Sequence, residues 1–216
     1  QRDALHMAYF DPRFLATPSV AVGQIFKEVL RMGKLAESNF KTAMRCFLDV
    51  DLAAARQVQD AEELLDYLNQ EITDYLVQVK ALDLGEEEMR LSGSLFHVIN
   101  DLERIGDHSV NILEAAQKRA REKAKFSHKA EREIGDMYAR VAHMLREALE
   151  IFARQVEDPD ILAAMAHEEQ AVDDWTAELR EHHVERLQNR RCSPRNGMLY
   201  LDMLMKTYQD ISPRRA

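Results

Sequence analysis

Three pairs of acidic residues recur in this chain with one spacing, a glutamate followed four residues later by an aspartate. The first pair is Glu62 and Asp66, the second is Glu103 and Asp107, and the third is Glu169 and Asp173. Residues four apart on a helix project from one face, so each pair would place two carboxylates side by side. A cation held by carboxylate oxygens would compensate their repulsion. These six residues are therefore candidate metal ligands.

The second pair lies in an otherwise apolar stretch, DLERIGDHSVNI, at residues 101–112. Three further polar residues flank it: Asp101, Arg104 and His108. We expect them to orient or neutralise the ligands rather than to coordinate a metal. Gly106 costs a helix about 1 kcal/mol relative to alanine, which favours the close approach of a neighbouring backbone at that position. In the alternative interpretation the acids are ordinary solvated charges or ion pairs, because the chain holds 38 acidic residues.

Helices are the elements that must position these pairs. Apolar residues recur at spacings of three and four, and only 7 glycines and 5 prolines interrupt 216 residues. Breaks fall near residues 17–19, 49–51, 83–85, 126–127, 157–160 and 192–197. The pattern predicts an all-α chain of six helices. His182 and His183, near the end of the fifth helix, are expected on the surface.

The chain also resembles itself, because the stretch that begins at Glu62 can be aligned with the stretch that begins at Glu169. In this alignment the first acidic pair falls on the third. Three long helices with short connections pack as an antiparallel bundle. We therefore predict two tandem three-helix bundles. The expected segments are a lead-in of residues 1–18, a first repeat of residues 19–124 and a second repeat of residues 127–211.

Composition excludes several classes of function. A net charge of -9 argues against a protein that grips nucleic acid, because phosphate binding needs a basic face. Charges interrupt the apolar runs well before the ~18 residues that a membrane span needs. Cys46 and Cys192 are too far apart in sequence to suggest a disulfide framework or a thiolate zinc site, which favours a reducing compartment. A start at Gln1 favours a segment cut from a longer chain.

The stretch DLERIGDHSVNI resembles the signature of PhoU proteins, the helical regulators of bacterial phosphate uptake. EELLDYLNQEI, at residues 62–72, resembles the second helix of that family's repeat. The resemblance implies a non-catalytic regulator with a multinuclear iron or zinc cluster. The implied ligands are Glu62, Asp66, Glu103 and Asp107 in the first repeat, and Glu169 with Asp173 in the second. The last helix departs from the pattern, since it offers only Asp202 and Asp210, so we expect the second cluster to be lost or incomplete.

The N-terminal stretch, residues 1–40, resembles the junction that precedes the PhoU-like tail of bacterial sodium-phosphate cotransporters. This resemblance implies a cytoplasmic C-terminal domain at the inner membrane whose partner is a transmembrane phosphate transporter domain, and a homodimer is compatible with it. The alternative is a free-standing PhoU regulator that docks on an ABC phosphate transporter and a histidine kinase. A di-iron carboxylate enzyme is disfavoured, because the chain has no Glu-x-x-His motif and no nucleophile paired with a base.

Overall fold

The computed structural model describes residues 7–9, 11–190 and 192–208, and over these ranges the secondary structure is helical, without strands. The six α-helices are α1 (Pro18–Leu48), α2 (Ala55–Lys80), α3 (Glu86–Glu122), α4 (His128–Arg154), α5 (Pro159–Gln188) and α6 (Pro194–Tyr208). The predicted fold class is therefore confirmed. All six predicted breaks coincide with helix boundaries.

Local chemistry explains several of these boundaries. The side chain of Ser127 accepts a hydrogen bond from the backbone of Ala130 and begins α4, and Asp158 begins α5 in the same way through Asp160. Lys123, the residue directly after α3, has a left-handed φ of 51°, which stops the helical hydrogen-bond pattern. Pro18 occupies the first position of α1, where a missing N–H costs nothing.

Helix α1 lies at the centre of the molecule and packs against α2, α3 and α4. Helix α6 packs against α3, α4 and α5. The contact of α1 with α4 is aromatic at two points, Phe26 with Phe152 and Phe40 with Tyr138, whose ring centroids are 5.1 and 5.7 Å apart. Buried apolar residues from all six helices form one core. The division into repeats 19–124 and 127–211 stays a prediction.

The described part of the lead-in segment is held against α1. The backbone N–H of Tyr9 donates to Oε1 of Glu28 over 2.5 Å, and Glu28 is only 1% exposed. Arg31 donates to the other oxygen of Glu28 over 2.8 Å. A short 3-10 helix, Pro12–Ala16, follows and leads into α1. Residues 1–6 and residue 10 lie outside the described ranges.

One expectation of the sequence is wrong. His183 is 1% exposed rather than on the surface, and its ring stacks on Tyr200 with centroids 4.1 Å apart. Beside it, Arg186 donates to both oxygens of Glu133 over 3.0 and 2.8 Å, and the Tyr200 hydroxyl donates to the same carboxylate over 2.5 Å. These four side chains join α4, α5 and α6, and no local sequence pattern indicates such a junction.

Within the described residues, no helix is both long enough and apolar enough to span a bilayer. Cys46 is buried and Cys192 is partly buried, and both are free thiols. Burial raises the pKa of the Cys46 thiol above its usual range, which keeps it in the unreactive protonated form.

Candidate functional site

Close packing of α2 on α3 positions the first two acidic pairs. A methyl group built at Gly106 would lie 2.7 Å from Cδ1 of Leu65, so only a glycine lets the helices come this near without a shift. The close neighbour of Gly106 is thus a side chain of α2 and not the backbone that the sequence led us to expect. Because α2 and α3 meet here, the acidic residues next to this contact on the two helices also approach one another.

Three of the six candidate ligands come together at this point. Glu62 and Asp66 of α2 and Asp107 of α3 each offer a carboxylate oxygen, and these atoms all lie within 4.8 Å of one another. Glu62 is half-buried, whereas Asp66 and Asp107 are exposed. We call these three residues together with Glu103 the α2–α3 acidic cluster. The cluster opens to solvent, so an ion could reach it directly.

The carboxylates of the cluster repel one another. Burial, followed by the carboxylates of Asp66 and Asp107, raises the pKa of Glu62 from 4.5 to about 7. The pKa of Glu103 is raised by burial first and then by Asp107 and Asp66, while Arg104 opposes this shift. A divalent cation would relieve the repulsion and would be bound by oxygen ligands of the type that hard and borderline metals prefer.

The three flanking residues lie around this cluster on α3. Asp101 is half-buried, and burial raises its pKa against the opposing charge of Arg104. Nη1 of Arg104 lies 3.9 Å from Asp101, on its own helix. His108 is half-buried, directly after Asp107. None of the three belongs to the group of converging ligand atoms, and their supporting role stays a prediction.

The third acidic pair has a different setting. Glu169 is buried and Asp173 is half-buried on α5. Over the part of the chain that the structure describes, no third ligand-type side chain joins them in a group. Beside Glu62 and Asp66, the third ligand is Asp107 of α3. The helix that corresponds to α3 in the predicted second repeat is α6, which is described only to Tyr208. Asp202 of α6 instead pairs with Lys206 over 3.1 Å, and Asp210 lies outside the described residues.

The structure brings together a further group that sequence reasoning missed. His143 and Glu147 of α4 and Glu168 of α5 offer ligand atoms within 4.8 Å of one another. Nδ1 of His143 lies 3.5 Å from Glu147, four residues on. Such a helical ion pair accounts for most of this arrangement. The only signal in the sequence is the His-x-x-x-Glu spacing, which gives no sign of Glu168.

Comparison with known proteins gives this arrangement a family context. Residues 29–116 match the family model described as PhoU domain. The match covers less than half of the chain, and it shows that this part is similar to a PhoU domain. The matched residues run from α1 into the last turns of α3, so they contain the α2–α3 acidic cluster, whereas the third acidic pair lies beyond the match.

Relatives and a solved structure agree with this similarity. The Phosphate-specific transport system accessory protein PhoU homolog 1 of Thermotoga maritima is 26% identical over 175 residues, which are 81% of this chain and 74% of the relative. The corresponding PhoU homolog of Pseudomonas putida is 29% identical over 161 residues, 73% of this chain and 61% of the relative. The crystal structure of PhoU from Pseudomonas aeruginosa superimposes with a TM-score of 0.81 at 24% identity, covering 91% of this chain and 93% of that one. This last similarity shows the fold.

Proposed function

We propose that this chain is a non-catalytic accessory regulator of phosphate transport. The observation that carries the proposal is the match of residues 29–116 to the PhoU domain model, together with relatives whose names describe phosphate-specific transport accessory proteins. The six-helix fold supports it, since that fold offers long helix faces for docking. A regulator of this kind acts from the cytoplasmic face of the membrane by contact with a transporter.

The relatives favour a free-standing regulator that docks on an ABC phosphate transporter and a histidine kinase. Their names refer to the phosphate-specific transport system and not to a cotransporter. The second candidate is the cytoplasmic tail of a sodium-phosphate cotransporter, favoured by the resemblance of residues 1–40. In that case the partner is a transmembrane domain of the same chain, and a homodimer would follow the transporter's symmetry.

Metal binding is the second part of the proposal. The ligands would be Glu62, Asp66 and Asp107, with Glu103 beside them, and the metal would be iron or zinc. The convergence of three carboxylates and the raised pKa of Glu62 support this assignment. A bound ion would tie α2 to α3 and relieve the repulsion within the cluster.

Elemental analysis tests the metal site. The purified chain is exposed to iron, zinc, manganese or magnesium and desalted, and Glu103→Gln/Asp107→Asn is treated in parallel. We expect wild type to retain metal and the double variant to lose it. Glu169→Gln/Asp173→Asn is the matched control, and we expect it to keep the metal of the first repeat. Equal metal in wild type and Glu103→Gln/Asp107→Asn would refute the cluster as a site.

Phosphate uptake tests the regulatory function. We expect a strain without this gene to take up phosphate, or to express phosphate-starvation genes, at high external phosphate, and we expect the intact gene to restore control. Unchanged uptake and unchanged starvation response would refute the proposal. A sodium requirement of the affected uptake would favour the cotransporter arrangement over the ABC transporter.

A further inference from the structure

Helices α4 and α5 bring a histidine and two glutamates together. His143 and Glu147 lie on α4 and Glu168 lies on α5, and their ligand atoms are all within 4.8 Å of one another. Measured along each helix, His143 lies about 17 Å before the end of α4 and Glu168 about 14 Å after the start of α5. Two helices joined by so short a connection as residues 155–158 form an antiparallel hairpin. The similar distances from this connection therefore place the two residues side by side.

A helical ion pair explains only part of this group. Nδ1 of His143 lies 3.5 Å from Oε2 of Glu147, four residues on along the same helix. Such a pair needs no third member, yet the carboxylate of Glu168 approaches it from the neighbouring helix. His182 and Glu178 on α5 form the same kind of pair over 3.9 Å, and within the described residues no third ligand-type side chain joins them. Glu168 is thus the feature that distinguishes the group on α4 and α5.

The charges around Glu168 favour a cation. In the part of the chain that the structure describes, no lysine or arginine forms an ion pair with Glu168. Arg140 lines the same open cavity, but its guanidinium lies over the ring of Trp175, 5.8 Å from the centroid. Because an imidazole is largely neutral at pH 7, the carboxylates of Glu147 and Glu168 repel one another where they meet. A divalent cation between them would replace this repulsion by attraction.

The distances suit a small metal ion. In a tetrahedral zinc site the nitrogen and oxygen ligands lie about 2.0–2.2 Å from the metal and therefore about 3.4 Å from one another. Nδ1 of His143 and Oε2 of Glu147 are already 3.5 Å apart, which is longer than an ordinary hydrogen bond. Their side chains are 57% and 46% exposed, so a change of rotamer can close the remaining gap to Glu168. The open cavity of about 470 Å³ beside the group leaves room for water as a further ligand.

We propose that His143, Glu147 and Glu168 bind a divalent transition-metal ion of the zinc type, with water completing its coordination. The nitrogen ligand separates this α4–α5 site from the α2–α3 acidic cluster, because imidazole favours zinc, nickel and copper whereas carboxylates also suit magnesium and calcium. The ion would join α4 to α5 and, since it binds the folded chain, would stabilise their hairpin by mass action. The α4–α5 site lies outside residues 29–116 and goes beyond the regulatory function proposed above.

Zinc titration of the full, untagged chain tests the α4–α5 site. Because the α2–α3 acidic cluster is also expected to bind metal, every protein in this experiment carries Glu103→Gln/Asp107→Asn, and the chain with these two changes alone is the background protein. Isothermal titration calorimetry at pH 7.5 measures the zinc that still binds. We expect one zinc ion that a large excess of magnesium does not displace. Glu168→Gln and His143→Gln should each weaken its binding at least about tenfold, because each removes one of three protein ligands.

His182→Gln is the matched control. It removes the histidine of a helical pair that has no third ligand within the described ranges, and the His182 side chain is 49% exposed, close to the value for His143. We expect this variant to bind zinc as tightly as the background protein. Circular dichroism should show the same helix content in all the variants, because the substituted side chains are exposed or half-buried.

Trp175 reports where the ion binds. It is the only tryptophan of the chain, and it lines the same cavity as His143 and Glu168. Cobalt(II) takes the place of zinc in sites of this kind and quenches tryptophan emission at short range. We expect Co²⁺ to quench Trp175 in the background protein over the concentration range in which it binds. In Glu168→Gln the quenching should need at least about tenfold more Co²⁺.

Four results would overturn the inference. They are the absence of zinc binding in the background protein, an affinity for zinc that Glu168→Gln leaves unchanged, equal weakening by His143→Gln and His182→Gln, and emission of Trp175 that Co²⁺ does not quench. The second result would mean that His143 and Glu147 form only a helical ion pair. Metal binding by the α2–α3 acidic cluster and control of phosphate uptake are measured separately, so any of these results would leave the proposed function standing.

Discussion

At the scale of single residues, Glu62 carries the clearest signature of the acidic cluster. Its pKa of about 7 lies above the ordinary value of 4.5, because burial and two neighbouring carboxylates disfavour the charged form. The folded chain therefore holds a proton there that the unfolded chain releases. The stabilising effect of that proton is complete below pH 4.5 and is lost as the pH rises through 7.

Glu62→Gln tests this linkage in the absence of metal. We expect the free energy of unfolding of wild type to fall relative to the variant between pH 4.5 and 8, by on the order of 1–2 kcal/mol once solvent screening is allowed for. Urea denaturation at several pH values in the presence of a chelator measures it. Parallel profiles for the two proteins would contradict the raised pKa.

Metal should reverse this pH dependence. The ion binds the deprotonated carboxylates, so the affinity of the cluster for zinc is expected to rise as the pH increases from 6 to 8, through the pKa of Glu62. Zinc titrations at fixed ionic strength measure the trend. An affinity independent of pH over this range would mean that Glu62 is not a ligand.

Gly106 is the residue that sets the spacing of the cluster. Gly106→Val would force branched carbons against Leu65 and separate α2 from α3. We expect a loss of about 1–3 kcal/mol of stability, as is usual for overpacking, together with weaker metal binding. Gly93→Val on the same helix is the control, because a side chain there would have no neighbour within 4 Å. Equal losses for both variants would assign the effect to helix propensity alone.

These residues also show how far sequence reasoning reaches. The four-residue spacing named all the acids of the α2–α3 acidic cluster, because helical periodicity alone decides which side chains share a face. The same spacing could not distinguish Glu169 and Asp173 from the first pair, since the difference lies in whether a third helix brings a further ligand. Whether a third helix approaches depends on tertiary packing, which a spacing of four residues along one helix does not reveal.

At the scale of elements, the buried junction of Glu133, Arg186, Tyr200 and His183 holds α4, α5 and α6 together. Burial disfavours the charged form of Glu133, but the hydrogen bonds from Arg186 and Tyr200 outweigh it and lower the pKa of that carboxylate. Glu133→Gln would leave the Arg186 guanidinium partly buried without its counter-charge. Breaking a buried ion pair by removal of one partner is strongly destabilising.

We expect Glu133→Gln to lower the free energy of unfolding by about 3 kcal/mol. The matched control is Glu122→Gln, which removes the carboxylate that pairs with Arg195, whose side chain is 65% exposed. Its effect on stability should be much smaller, because an exposed ion pair is screened by solvent. Chemical denaturation of the three proteins at pH 7 measures both effects. Similar losses in the two variants would show that the junction contributes no more than a surface pair.

The helices themselves were the most predictable elements. Breaks at Pro, Gly and capping residues located all the boundaries, because capping is a local interaction between neighbours in sequence. The burial of His183 was not predictable in this way. A histidine pair between charged residues is typical of a surface. The His183 ring is buried because Tyr200 of α6 stacks on it, and Arg186, which binds Glu133 of α4, lies 3.2 Å from its Nδ1.

At the scale of the whole molecule, helices α2 and α5 are packed unequally among the described residues. Helix α2 packs against α1 and α3, whereas Leu162, Met165 and Ala166 in the first half of α5 line a cavity between α3, α4 and α5. Local opening is easiest where few apolar contacts must be broken. The alignment of Glu62 with Glu169 predicted two similar stretches, but the difference in their packing depends on contacts between helices that the sequence pattern does not contain.

Hydrogen exchange should report this asymmetry directly. We expect backbone amides of residues 162–169 in α5 to exchange at least about tenfold faster than those of residues 58–65 in α2, because less apolar surface is buried at the former. Mass spectrometry of peptic fragments measures both segments in one sample. Equal protection of the two segments would mean that the first half of α5 is packed as firmly as the matching part of α2.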